Sequence, residues 1–238
     1  SRLLVIRADR LAALGTMAAG IIHEITQPLN AINVSTQTIL YGLSRGWKID
    51  GEKAVNSLNL VVEQVKRMSD IITNMRAFAR DGLPTAREKD NINTQVARVF
   101  TMLGEQMKAH NIEVEFHMGD VPDIFMNAQQ ILQVILNLVT NARQALDESE
   151  GRERLITITT YADDANLVLE VADTGPGVPD SIREKVFDPF FTTKEVGRGT
   201  GLGLSISMSI IQDHNGHIDV RTNEAGGATF IVRLPLTL

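Results

Sequence analysis

Apolar residues recur every seven positions along the first third of the chain. Such a repeat predicts a long amphipathic helix with a coiled-coil-like seam. A second apolar row follows the polar turn at residues 44–53, so the segment is predicted to be a helical hairpin. Because two helices alone bury little surface, we expect a homodimer in which residues 1–82 of two copies form a four-helix bundle. The seam is Leu4, Leu11, Ala18, Ile25, Ile32 and Ile39, and the second row is Val61, Val65, Met68, Ile72, Met75 and Ala79.

The pattern changes at residues 81–90, where Gly82 and Pro84 end the second helix before a charged stretch. We therefore predict a dimerisation domain over 1–82, a linker over 83–90 and a second domain over 91–238. Helical periodicity near 92–109, near 128–147 and from about Leu202 is mixed with strand-like runs and a terminal hairpin. This order predicts a two-layer α/β sandwich, with one sheet under a layer of helices.

Composition narrows the classes of function. The chain has 238 residues, 43% of them hydrophobic, and no window as apolar as a membrane span. Its start is too charged for a signal peptide and lacks methionine, so we expect a cytoplasmic fragment of a longer protein that could itself carry a membrane anchor. The absence of cysteine excludes disulfides and thiolate sites. A net charge of −6 argues against nucleic-acid binding.

His23 is the first candidate for chemistry. Counted from the seam, it falls at the outermost heptad position, where a solvated surface histidine is the simplest interpretation. Glu24 beside it could accept the imidazole proton and leave the other nitrogen nucleophilic, and Gln27 follows on the same face. Pro28 removes one helical hydrogen bond and permits a bend.

Two further candidates lie in the second domain. Asn137 and Asn141 are four residues apart on one helix face, where amide oxygens could bind Mg²⁺, although such amides often only satisfy backbone groups. Asp173 ends a strand and is followed by Gly175 and Gly177. A carboxylate there could accept from an amino group such as that of adenine, and the alternative is an ordinary Asp-x-Gly turn.

A glycine-rich stretch precedes the helix that starts near Leu202. It contains Gly197, Gly199, Gly201 and Gly203, and it fits neither a P-loop nor a dinucleotide fingerprint. Free N–H groups at a helix start bind phosphate, and Lys194 could add a positive charge. A surface loop is the alternative.

Taken in order, these segments resemble the five boxes of sensor histidine kinases of two-component systems. The resemblance covers nearly the whole chain and implies that the second domain has the GHKL (Bergerat) ATPase fold, with ATP and Mg²⁺ as cofactors. The matching segments are HEITQPL (23–29), NLVTNARQA (137–145), DTGPGVP (173–179), FDPFFTTK (187–194) and GTGLGL (199–204).

The resemblance implies a role for each matching position. His23 would be the phosphoacceptor and Glu24 its base, Asn141 and Asn137 would bind Mg²⁺ and phosphate, and Asp173 would read adenine. In the ATPase relatives a glutamate replaces Asn137. An amide cannot act as a base, which favours phosphoryl transfer over hydrolysis. The remaining implied nucleotide contacts are Gly175, Gly177, Gly199, Thr200, Gly201, Leu202 and Gly203.

Two positions depart from the common pattern. Gln27 stands where many relatives have Thr or Asn, as in the HE-x-x-Q-P-L subgroup, which leaves phosphatase activity toward the partner open. Gln144 stands where many have a basic residue, so one phosphate contact is either missing or supplied by Arg143 or Lys194.

The predicted function is autophosphorylation of His23 and transfer to an aspartate of a response regulator receiver domain. The alternatives are a GHKL-fold ATPase or serine-directed kinase, and a catalytically silent, dimeric nucleotide-sensing scaffold.

Overall fold

A computed structural model describes Ile22 and residues 25–47, 50–79, 87–149, 153–194 and 201–237 of the chain. The chain divides into two compact units. The described residues below 83, together with 192–194, form the first unit, and the other described residues form the second. His23, Glu24, Gly199 and Thr200 lie outside the described residues.

Two helices are formed by the residues of the first unit that the structure describes. Helix α1 covers residues 25–44 and helix α2 spans Gly51–Ala79. Pro28 is buried, and α1 continues through it. Ile25, Ile32 and Ile39 of the predicted seam are half-buried, whereas Gln37 at the outermost heptad position is exposed. The heptad count therefore orients α1 correctly wherever it is described. No described helix is long and apolar enough to cross a bilayer.

The second unit is built on a five-stranded sheet. Its strand order is β2-β4-β5-β7-β6; β2 runs parallel to β4 and the other neighbours are antiparallel. A separate antiparallel pair joins two short strands, β1 and β3. The strands are β1 Glu88–Asp90, β2 Glu113–Met118, β3 Ile124–Met126, β4 Leu155–Ala162, β5 Asn166–Asp173, β6 His217–Thr222 and β7 Ala228–Pro235.

Within the described part of this unit, three helices cover one face of the sheet. They are α3 (Ile92–Ala109), α4 (Ala128–Asp147) and α5 (Gly203–Asp213), and two short 3₁₀ turns lie at 180–182 and 185–187. The core forms between the layers because inward positions alternate along the strands, as in the buried Ile156 and Ile158 of β4. The two-layer α/β sandwich predicted from the sequence is confirmed. The β1–β3 pair was not predicted.

Asparagines cap two of these helices. The Asn91 side chain accepts a bond from Asn93 N at the start of α3, and the Asn127 side chain accepts from Gln129 N and Gln130 N at the start of α4. Helix α5 differs, because its N-cap residue is Leu202, whose apolar side chain cannot accept such a bond. The start of α5 therefore presents its first turn without the usual side-chain acceptor.

Candidate nucleotide-binding site

Asp173 lies at the end of β5 and is 3% exposed. Its Oδ1 accepts bonds from Gly175 N at 2.8 Å and from Ala228 N at 3.3 Å. Burial raises the pKa of this carboxyl group above its ordinary value, and the two backbone N–H bonds act in the opposite direction. The residue is thus a buried acceptor held by its own turn and by the neighbouring strand, which is more than an Asp-x-Gly turn requires.

The two glycines of the predicted motif are required by close packing. A Cβ at Gly175 would lie 2.8 Å from Asp173 Oδ1 and 3.2 Å from the Ala145 Cβ of α4. Gly177 has a φ of +76°, and a Cβ there would lie 2.7 Å from Gly226 O. The turn after Asp173 is therefore pressed between α4 and the loop that joins β6 to β7.

Asn137 ties α4 to the start of α5. Its Nδ2 donates to Gly203 O at 3.0 Å and to Ser207 Oγ at 3.2 Å, and Ser207 Oγ donates to the same carbonyl at 2.9 Å. These bonds fix the orientation of the amide, so that Oδ1 is the atom that could face a ligand. Ser207, which is fully buried, was not singled out from the sequence because nothing local marks it.

One face of α4 connects these two groups. Asn137, Asn141 and Ala145 follow at four-residue intervals, and all three are half-buried. Asn137 contacts the start of α5, and Ala145 packs against Gly175. Eight residues of helix correspond to about 12 Å. The structure thus sets the Asp173 turn and the start of α5 along one helix face, with Asn141 between them.

Gly201, the first described residue after 195–200, packs tightly against Phe190. Gly201 has a φ of +62°, and a Cβ there would lie 2.4 Å from the backbone carbon of Phe190. Phe190 itself has a φ of +64° and donates its N–H to Gly201 O at 3.0 Å. The residues on either side of 191–200 are therefore fastened to each other, directly before Leu202 and α5.

Arg143 is not brought together with the other candidates. Its guanidinium is 2.8 Å from Asp147 Oδ2 and 3.5 Å from the ring of His110. Asp147 also binds Arg154 at 2.7 Å, and Arg154 reaches the backbone of His110. This cluster fastens the ends of α3 and α4 to the start of β4. Arg143 lies on a different side of α4 from Asn141, so this cluster is separate from the other predicted site residues.

The other predicted residues stand as follows. Lys194 belongs to the residues that group with the hairpin, and its backbone N–H donates to Thr192 Oγ1 at 3.1 Å. Gln27 is half-buried on α1. Among the described residues, no cluster of three His, Asp or Glu side chains could hold a metal ion.

The fold and this site define the class of protein. Residues 126–238 match the family model described as histidine kinase-, DNA gyrase B- and HSP90-like ATPase, and residues 13–83 match the His Kinase A (phospho-acceptor) domain. The second unit is therefore an ATP-binding domain of this class.

Individual proteins narrow the class to one family. The chain is 34% identical over 235 residues to the sensor protein FixL of Bradyrhizobium diazoefficiens, covering 97% of this chain and 45% of FixL. It is 32% identical to sporulation kinase E of Bacillus subtilis, covering 97% of this chain and 30% of that kinase. The chain thus spans less than half the length of either relative.

Solved structures agree. The catalytic domain of histidine kinase ThkA matches 63% of this chain over 98% of its own length, at 33% identity and a TM-score of 0.54. ThkA in complex with the response regulator TrrA matches 97% of this chain and 64% of its own, at 28% identity and a TM-score of 0.78. The chain belongs to the sensor histidine kinase family, as its five boxes predict.

Proposed function

We propose that this chain is the core of an ATP-dependent protein-histidine kinase that phosphorylates His23 and passes the phosphoryl group to an aspartate of a response regulator. The observation that carries the proposal is the α4 face, which joins a buried acceptor, Asp173, to the start of α5 over about 12 Å. A ligand with a base at one end and phosphates at the other fits such a spacing.

The adenine end of the proposed site is built around Asp173. Both backbone N–H groups that reach this carboxylate bind Oδ1, at 2.8 Å and 3.3 Å. Oδ2 is therefore the oxygen that would accept from the exocyclic amino group of adenine. Gly175 allows a flat ring to approach closely, because it has no side chain to cover the carboxylate.

The phosphate end is assigned to α4 and α5. The positive end of the α5 dipole favours phosphate oxygens, and Gly203, where a Cβ would lie 3.7 Å from the Asn137 side chain, leaves space beside that amide. The amide oxygens of Asn137 and Asn141 would hold Mg²⁺ together with phosphate oxygens, and they fit because Mg²⁺ prefers hard oxygen ligands. Bound Mg²⁺ would neutralise charge on the phosphates. Lys194, Gly199, Thr200 and Arg143 remain predictions as phosphate contacts.

In the proposed reaction an imidazole nitrogen of His23 attacks the γ-phosphorus. The N–P bond forms, the bond between the γ-phosphorus and the bridging oxygen breaks, and ADP leaves. Glu24 accepts the imidazole proton. Asn137 is an amide that already donates to α5, so it supplies no base for water. The site is therefore better suited to transfer than to hydrolysis.

The proposed partners are a second copy of the chain and a response regulator. An exposed apolar stripe on α2, spaced at three and four residues, supports dimerisation. Each of its four side chains is between 50% and 67% exposed in the single chain, which is unusual for a continuous apolar row. The regulator is proposed because ThkA, a structural relative, is known in complex with TrrA. The stripe consists of Val55, Leu58, Val62 and Val65.

The test is labelling with γ-labelled ATP and Mg²⁺ of the wild type, of His23→Gln and of a control, His117→Gln. His117 is an exposed histidine of β2, 3.6 Å from Glu115. We expect acid-labile, base-stable label on the wild type and the control, and none on His23→Gln. Label that survives in His23→Gln contradicts the proposal. Nucleotide binding without label on any variant favours the silent scaffold.

A further inference from the structure

The loop between β6 and β7, residues 223–227, packs directly behind Asp173. A Cβ added at Gly227 would lie only 1.9 Å from Asp173 O, so the backbones touch there. On the other side, Gly177 packs against Gly226 O. The strand that follows the loop begins with Ala228, whose N–H donates to Asp173 Oδ1 at 3.3 Å. The position of this loop therefore determines where one of the two N–H donors to the carboxylate lies.

Asn223 is the side chain that fixes this loop. Its Nδ2 donates to Asp173 O at 2.8 Å and to Ala228 O at 3.2 Å, and its Oδ1 accepts from Gly227 N at 2.8 Å. The amide cannot be reversed, because its oxygen would then face two carbonyl oxygens. One half-buried side chain thus bonds to the residue that carries the carboxylate, to the loop and to the donor strand at once.

We propose that Asn223 is a positioning residue that makes the nucleotide site selective for adenine. It holds Asp173 and Ala228 in register, so that Oδ1 stays bonded to the backbone and Oδ2 is directed at the exocyclic amino group of the base. This inference rests on the proposed assignment of Asp173 to adenine. It assigns the selectivity to a residue that does not itself touch the nucleotide.

The experiment compares ATP with inosine triphosphate, which carries an oxygen in place of the adenine amino group. Equilibrium affinities are measured for the full chain in a His23→Gln background, which prevents turnover. We expect Asn223→Ala to weaken ATP binding about ten-fold, the loss expected for one misaligned bond to a charged acceptor, and to change inosine triphosphate binding less than two-fold. The ratio of the two affinities is the readout, since a general loss of stability lowers both.

Asn93→Ala is the matched control. Asn93 also donates to a carbonyl, Gly119 O at 3.0 Å, and accepts a bond, from Thr160 Oγ1 at 2.8 Å, but it ties α3 to the sheet and makes neither bond to the site. We expect this variant to lower thermal stability and to leave the affinity ratio unchanged. If Asn223→Ala leaves the ratio unchanged as well, Asn223 is only structural and the proposal is wrong.

If Asn223→Ala does not fold, Asn223→Asp is measured in its place. This near-isosteric variant keeps the acceptor for Gly227 N and loses the donor to Asp173 O. It should lower the ratio as well, and an unchanged ratio refutes the proposal. Asp173→Asn is measured in parallel. If Asp173→Asn leaves the affinity ratio unchanged, both the adenine assignment and the present inference are wrong. If Asp173→Asn lowers the ratio but the Asn223 variants do not, only the inference is wrong.

Discussion

Asp173→Asn should separate nucleotide binding from folding. The amide oxygen can still accept the bonds from Gly175 N and Ala228 N, so the local backbone is expected to stay in place. An NH₂ group then replaces Oδ2 and faces the amino group of adenine. Both groups are hydrogen-bond donors, so no bond forms between them. Losing one hydrogen bond to a charged acceptor costs about 2 kcal/mol, which corresponds to roughly a 30-fold weaker affinity for ATP.

The same substitution should not destabilise the nucleotide-free protein. Burial raises the pKa of Asp173 in the folded state above its value in the unfolded chain. For a carboxyl group shifted in this direction, stability increases as the pH falls through the folded pKa, and the ionised group opposes folding at neutral pH. An asparagine carries no such penalty. We therefore expect an equal or higher free energy of unfolding at pH 7.

Two measurements decide the matter. Calorimetric titration gives the affinity for ATP, and urea unfolding without nucleotide gives the stability. An affinity within about two-fold of the wild type would remove Asp173 from the adenine site, because a charge-assisted bond cannot be lost at so small a cost. A variant that loses more than about 1 kcal/mol of stability would instead show that the carboxylate is needed for folding.

Two further predictions concern other parts of the chain. His214 is buried, and burial lowers its pKa. It should stay neutral while the unfolded chain protonates, so stability should fall as the pH drops below about 6.5. His214→Gln should flatten this dependence in urea unfolding at pH 7 and pH 5.5, and an equal slope in both proteins contradicts the reasoning. Val62→Glu in the exposed α2 stripe should shift sedimentation from dimer to monomer, whereas Asn56→Glu, on the polar side of α2, should not; an unchanged dimer in both refutes the stripe as the interface.

Periodicity predicted the long elements because their burial is set by the chain's own pattern. The sequence placed helices near 92–109 and 128–147, and α3 and α4 have these bounds. The β1–β3 pair was missed for the opposite reason. Its strands have three residues each, too few for alternation to be recognised, and they exist because Lys89 and Phe125 are brought opposite each other by the surrounding fold.

The site was predictable where residues close together in the sequence make it. Asp173, Gly175 and Gly177 form one turn, and a motif of seven residues marks them. Asn223 lies 50 residues further on, and its bond to Asp173 O depends on β5 and β6 flanking the same strand. Arg143 was predicted as a phosphate contact, but its guanidinium bonds to Asp147 instead. The sequence did not show this, because the partner of Arg143 depends on which side of α4 it occupies and on which elements pack there.

The two ends of the proposed site are built from different parts of the domain. The Asp173 turn is held by the loop from β6 to β7, whereas Asn137 is held by Gly203 and Ser207 of α5. Helix α4 reaches both ends, because Asn137 bonds to the start of α5 and Ala145, about 12 Å further along the helix, packs against Gly175. Since the bonds of Asn223 all lie at the Asp173 end, we expect a change at Asn223 to alter which base is accepted more than it alters the phosphate end. Base selectivity and phosphoryl transfer should accordingly respond to separate substitutions. The role of Asn223 is therefore isolated by the ratio of the ATP and inosine triphosphate affinities and not by the amount of label transferred.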